Sequence, residues 1–132
     1  MRFVMETTKV QDISAVTLAV RDMARAVKFY RKLGFELFYG GADARFSSLR
    51  AGRALINLEA QSAYLGNRWG RVIFRVDDVD TYYLAVKAAD LTPDHAPYDA
   101  SWGERFFHIH DPDGHELSFA QLLGPAPEVG YP

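Results

Sequence analysis

Residues 16–35, VTLAVRDMARAVKFYRKLGF, lie without a gap on residues 72–91, VIFRVDDVDTYYLAVKAADL. Val16 meets Val72, Val20 meets Val76 and Asp22 meets Asp78, and the apolar positions after each aspartate stay broadly in step. A repeat that opens on a β-branched run and continues at helical spacing constrains the fold more than any single motif. It requires two copies of one strand-then-helix unit.

The first copy predicts a strand from Ile13 to Val20, after which Asp22 offers a side-chain oxygen to the orphan amides of a helix. Met23, Ala26, Val27, Tyr30 and Leu33 recur on one helical face, and Gly34 stands where a left-handed residue ends the helix. Phe35 to Tyr39 then reads as a strand, Gly40-Gly41 as a turn, and Arg45 to Arg50 with Ala54 to Ala60 as a hairpin closed through Ala51-Gly52. The second copy predicts a strand at Arg71 to Asp77, a helix after Asp78 and a strand within Leu91 to Tyr98, interrupted by Pro93 and Pro97. Its hairpin joins Glu104 to His110 with His115 to Leu122 through Asp111-Pro112-Asp113-Gly114, a turn in which Pro fixes φ and Gly tolerates a positive one. The expected organisation is one domain over 1–132. It holds a βαβββ module at 12–60, a linker at 61–70, a second module at 71–123 and a Pro-rich tail at 124–132.

Composition narrows the function. A content of 48% hydrophobic and 24% charged residues suits one globular domain with a real core. The net charge of −2, with signs interspersed, provides no basic stripe for nucleic acid or an anionic membrane. No run approaches the roughly 20 apolar residues of a membrane span. With no cysteine there are no disulfides, thiolate chemistry or cysteine-ligated metals. The N-terminal apolar run is too short for a secretory segment, so the expected location is cytoplasmic.

V-x-D followed by F-Y-x-x-L-G-F in the first half, and W-G-x-R with D-P-D-G-H-E-L in the second, resemble the vicinal oxygen chelate superfamily. That group includes glyoxalases, extradiol dioxygenases, fosfomycin-resistance enzymes and bleomycin-resistance proteins, and the resemblance covers about residues 12 to 123. It implies an α+β fold in which two βαβββ modules form a curled mixed sheet around an open cup, with the helices outside. It also implies a homodimer and a ligand site in the cup.

The metal-dependent members hold an ion with one residue near the start of each module's first strand and one on each last strand. By that resemblance the positions fall on Ala15, Arg71, Ser118 and a place near Asn57, with Glu59 two residues on along the same face. Methyl, guanidinium and hydroxyl groups are poor divalent-ion ligands, and Arg71 adds a positive charge. No metal or other cofactor is therefore expected. Arg71 either forms an ion pair across the cup with Glu59 or awaits an anionic or carbonyl-bearing ligand.

Phe106, His108 and His110 share one strand face, while Phe107 and Ile109 face the helices. His108 also stands where the extradiol dioxygenase pattern carries a substrate-contacting tyrosine. His110 is expected at the rim and His115 exposed. A metal site from His108, His110 and Glu116 is the weakest reading, because one two-stranded ribbon rarely encloses an ion. Trp69, Tyr98, Trp102 and Phe106 suit a flat, partly apolar small molecule, although core packing accounts for rings equally well.

Three classes follow. The first is a metal-free module that binds a small, partly aromatic molecule through Asn57, Glu59, Arg71, Tyr98, Trp102, Phe106, His108 and Ser118. The second is a metal-independent lyase or isomerase with His108 as base and Arg71 stabilising negative charge. The third is a metal-dependent glyoxalase or dioxygenase that uses unfamiliar positions.

Overall fold

The computed structural model describes residue 8 and residues 10–125. The first half runs β1 (Ala15–Val20), α1 (Met23–Lys32), β2 (Glu36–Tyr39), β3 (Phe46–Ala51) and β4 (Ala54–Ala60). The second runs β5 (Arg71–Arg75), α2 (Val79–Ala88), β6 (Tyr98–Asp99), β7 (Glu104–His110) and β8 (Glu116–Leu122). Each half forms a four-stranded mixed sheet, ordered β1-β4-β3-β2 and β5-β8-β7-β6. In each, the first strand pairs in parallel with the last, and the remaining pairs are antiparallel. The α+β fold and the repeated βαβββ order expected above are therefore present.

The local signals account for the element ends. Asp22 caps α1 by accepting from the Arg25 amide at 3.1 Å, and Asp78 caps α2 by accepting from the Thr81 amide at 3.1 Å. Gly34, at φ +97°, turns the chain out of α1 without the Cβ penalty that another residue would meet there. One strand is shorter than expected. Prolines 93 and 97 cannot donate to a ladder, so the run from Leu91 is irregular: the Asp94 amide donates to the His108 carbonyl, and Tyr98–Asp99 forms a strand paired with Phe106 and Arg105 of β7. The linker residues carry no strand or helix, and all of the tail beyond Pro125 lies outside the described residues.

Both sheets press one face into a common core. Leu18, Val20, Ile56 and Leu58 from the first join Phe107, Ile109, Leu117 and Phe119 from the second, around Tyr30, Val27 and Val86 of the helices. Burying each such side chain contributes about 1.5–3 kcal/mol, and a one-residue slip would turn a whole strand's set outward, so the register is strongly specified. Aromatic contacts cross between the halves, with Phe35 and Phe74 ring centroids 5.0 Å apart.

Polar ties reinforce the joint at one end. The Tyr30 hydroxyl donates to Asp111 Oδ2 at 2.7 Å, and burial beside that carboxylate raises the phenol pKa well above its ordinary value. Asp113 accepts from the Arg21 side chain at 2.9 Å and from Arg25 at 3.2 Å. His115 is 3% exposed rather than the exposed residue expected. Its Nδ1 accepts from Trp69 Nε1 and its Nε2 contacts the Ala19 carbonyl, both at 2.8 Å. An indole N–H only donates and a carbonyl only accepts, which fixes the imidazole hydrogen on Nε2. Trp69 thereby ties the linker to the β7–β8 turn instead of walling a cup.

Candidate functional site

Strand alternation leaves each sheet a second face that turns away from the core. On the second sheet this face carries three rungs: Arg71, Glu116 and His110; Ile73, Ser118 and His108; Arg75, Ala120, Phe106 and Tyr98. On the first sheet its central rung is Thr17, Asn57 and Ser48.

The electrostatic centre of the second face is a closed network. Arg71 Nε meets Glu116 Oε2 at 2.9 Å, so Arg71 pairs within its own sheet rather than with Glu59. Arg71 Nη1 lies 3.2 Å from His108 Nε2. A guanidinium can only donate, so His108 Nε2 is the acceptor and Nδ1 carries the hydrogen, 4.0 Å from Glu116 Oε1. Burial lowers the His108 pKa from 6.5, the Arg71 charge lowers it further, and Glu116 opposes them. His108 is consequently a neutral imidazole at pH 7 whose free lone pair is already used.

A row of rings continues from this network. His108 packs on Phe106 at 5.0 Å and on His95 at 5.2 Å; Tyr98 packs on Phe106 at 4.7 Å, and Trp102 stacks on Phe106 at 6.1 Å. Phe106 is the covered floor at 7% exposed, whereas Tyr98 and Trp102 are 52% and 54% exposed. Trp102 is held by its indole N–H, which donates to Glu104 Oε1 at 2.8 Å. Ser118 is buried in the sheet floor.

Of the remaining predicted residues, Asn57 is on the first sheet, accepting from Ser48 Oγ at 2.7 Å and donating to Thr17 Oγ1 at 3.2 Å. Glu59 is exposed on the same face. The eight candidates thus fall into two groups: Arg71, Tyr98, Trp102, Phe106, His108 and Ser118 together, and Asn57 with Glu59 on the other sheet. Sequence reasoning missed Asp94 and His95, which sit in the irregular segment before β6. His110 Nδ1 pairs with Asp94 Oδ2 at 2.7 Å, which occupies that ring nitrogen. No motif marks either residue; only the fold of the Pro-rich segment brings them to the rings.

At the positions that the resemblance assigns to metal ligands, Ala15, Arg71, Ser118 and Asn57, the side chains are a methyl, a guanidinium bound to Glu116, a buried hydroxyl and an amide engaged on both sides. They do not fit a divalent ion. Among the described residues, no group of three or more His, Asp or Glu is placed to hold one.

The family description Glyoxalase/Bleomycin resistance protein/Dioxygenase superfamily matches residues 12–119. The chain belongs to that superfamily. Among solved structures, a bleomycin-binding protein in complex with bleomycin is 26% identical, with 85% of this chain and 98% of that one covered and a TM-score of 0.68. A bleomycin resistance determinant encoded on the transposon Tn5 is also 26% identical over the same shares, at 0.71. A lactoylglutathione lyase from Agrobacterium tumefaciens, 20% identical over 86% of this chain and 96% of that one at 0.70, shares the fold. No protein of curated function matches by sequence. No helix among the described residues is long and apolar enough to cross a membrane.

Proposed function

We propose that this superfamily member binds a small, partly aromatic molecule without a metal, in a cup built by two copies of the chain. The observation that carries this reading is the ring shelf: Tyr98 and Trp102, half exposed over a Phe106 floor, end at the Arg71–Glu116–His108 network. Exposed rings held in fixed orientation offer a flat ligand large contact area at little entropic cost, and the guanidinium at the end supplies hydrogen-bond donors.

The second copy follows from the sheet edges. Among the described residues, β1 and β5 are outer strands, each paired on one side, and Ile73 on β5 is 60% exposed. An unpaired, partly apolar edge favours strand pairing with another chain. Joining β5 of one protomer to β1 of its partner sets Asn57 and Glu59 opposite Arg71 and the rings, which reunites the two groups of candidate residues. The likeness to a bleomycin-binding protein supports a binding or resistance role. A metal-independent enzyme using His108 as base is the lesser reading, since Arg71 must first release Nε2.

The test is a fluorescence titration of dialysed, metal-counted protein with bleomycin. Saturable quenching that Trp102→Ala weakens about tenfold or more, with metal only at trace level, is the expected result. Near-stoichiometric bound metal, or no saturable binding, overturns the reading.

A further inference from the structure

The irregular segment before β6 carries onto the ring shelf an imidazole that the repeat does not encode. Two ties fix the residue ahead of it: the Asp94 amide donates to the His108 carbonyl at 2.8 Å, and the Asp94 carboxylate pairs with His110 at 2.7 Å. His95 follows, half-buried, with its ring 5.1 Å from that of Tyr98, 5.8 Å from Phe106 and 5.2 Å from His108. It bridges the exposed ring of Tyr98 and the Arg71–Glu116–His108 network.

One nitrogen of His95 is engaged and the other is not. Nδ1 lies 2.8 Å from the Ala96 carbonyl. A carbonyl only accepts, so Nδ1 carries the hydrogen, and the lone pair of the neutral ring is on Nε2, at the tip of the side chain. Among the described residues, no group donates to that nitrogen. The neighbouring acceptors are engaged: His108 Nε2 and Glu116 Oε2 with Arg71, and Glu104 Oε1 with Trp102. Solvent water satisfies a half-buried lone pair of this kind while the shelf is open. A flat molecule laid on the rings displaces that water and must donate in its place, or a covered acceptor is left unpaired.

We infer that His95 sets the specificity of the cup: the ligand is an aromatic ring with its own hydrogen-bond donor, an O–H or a ring N–H, placed on His95 Nε2. This rests on the proposed use of the ring shelf as the binding surface. Stacking on Tyr98 and Trp102 accepts any flat ring, because it depends on contact area. The imidazole acceptor adds the discrimination, since a site built to pair with a donor rejects the analogue that lacks it.

The test compares two matched pairs at about pH 8, 2-naphthol with 2-methoxynaphthalene and indole with 1-methylindole, by amide and imidazole nitrogen NMR on the full chain. In each pair methylation removes the donor and keeps the ring. Saturable shifts at Trp102 and Phe106 are expected, with the donor-bearing member of at least one pair bound about five- to tenfold more tightly and moving the His95 Nε2 resonance upfield. A preference in the naphthol pair assigns an O–H, and one in the indole pair an N–H. His95→Phe keeps a ring, removes the acceptor and brings the affinities within that pair together; if it fails to fold, the ligand pairs and the Nε2 resonance still decide. Equal affinities within both pairs, or a preference that survives His95→Phe, overturn the inference and leave the ring shelf standing. Saturation by none of the four, or saturation without shifts at Trp102 and Phe106, overturns the shelf along with it.

Discussion

Arg71 shows how a single side chain changes the chemistry of a duplicated scaffold. Its guanidinium, at a position that the resemblance assigns to a metal ligand, holds Glu116 and donates to His108. With the folded-state pKa of His108 below the ordinary 6.5, the folded chain binds fewer protons than the unfolded chain between the two values. Stability is therefore retained above 6.5 and falls as the pH drops through that window, levelling off below the folded value. Replacing Arg71→Gln removes one lowering influence. In imidazole NMR titrations the His108 midpoint should move upward in that variant; an unchanged or lower midpoint contradicts the network. The residue types at 71 and 108 were legible from the repeat and from strand alternation. Their pairing was not: Glu59 was the expected partner of Arg71, and only the sheet places Glu116 on its rung.

The elements themselves were largely legible. Asp22 and Asp78 occupy matched places, and each caps its helix through the amide three residues on. Asp22→Ala should lower stability by about 1 kcal/mol in urea unfolding, with the slope unchanged. Hydrogen bonds from the Thr81 backbone depress the Asp78 pKa, so that cap's contribution is present above the ordinary carboxylate range and lost as pH falls through the lowered value. Strand patterns were read well where alternation was clean, as in β7, and poorly where proline intervened before β6. The missed residues Asp94 and His95 lie in that irregular segment, since periodicity carries no information about where a non-repeating backbone points.

At the scale of the whole molecule, the reading that two chains complete each cup predicts a mass in solution of twice the 14.9 kDa chain. Ile73→Asp places a charge on the exposed β5 edge and should shift sedimentation velocity toward a single chain without lowering the helix signal in circular dichroism. A parent that sediments as one chain at tens of micromolar removes the partner-built cup. The sequence by itself determined the repeat, the capped helices, the inward and outward sides of the strands and the superfamily, because each depends on local spacing and residue type. Only the tertiary structure decided which carboxylate meets Arg71 and that His115 is buried against Trp69. Those outcomes depend on distances between segments far apart in the chain, which spacing within either repeat does not encode.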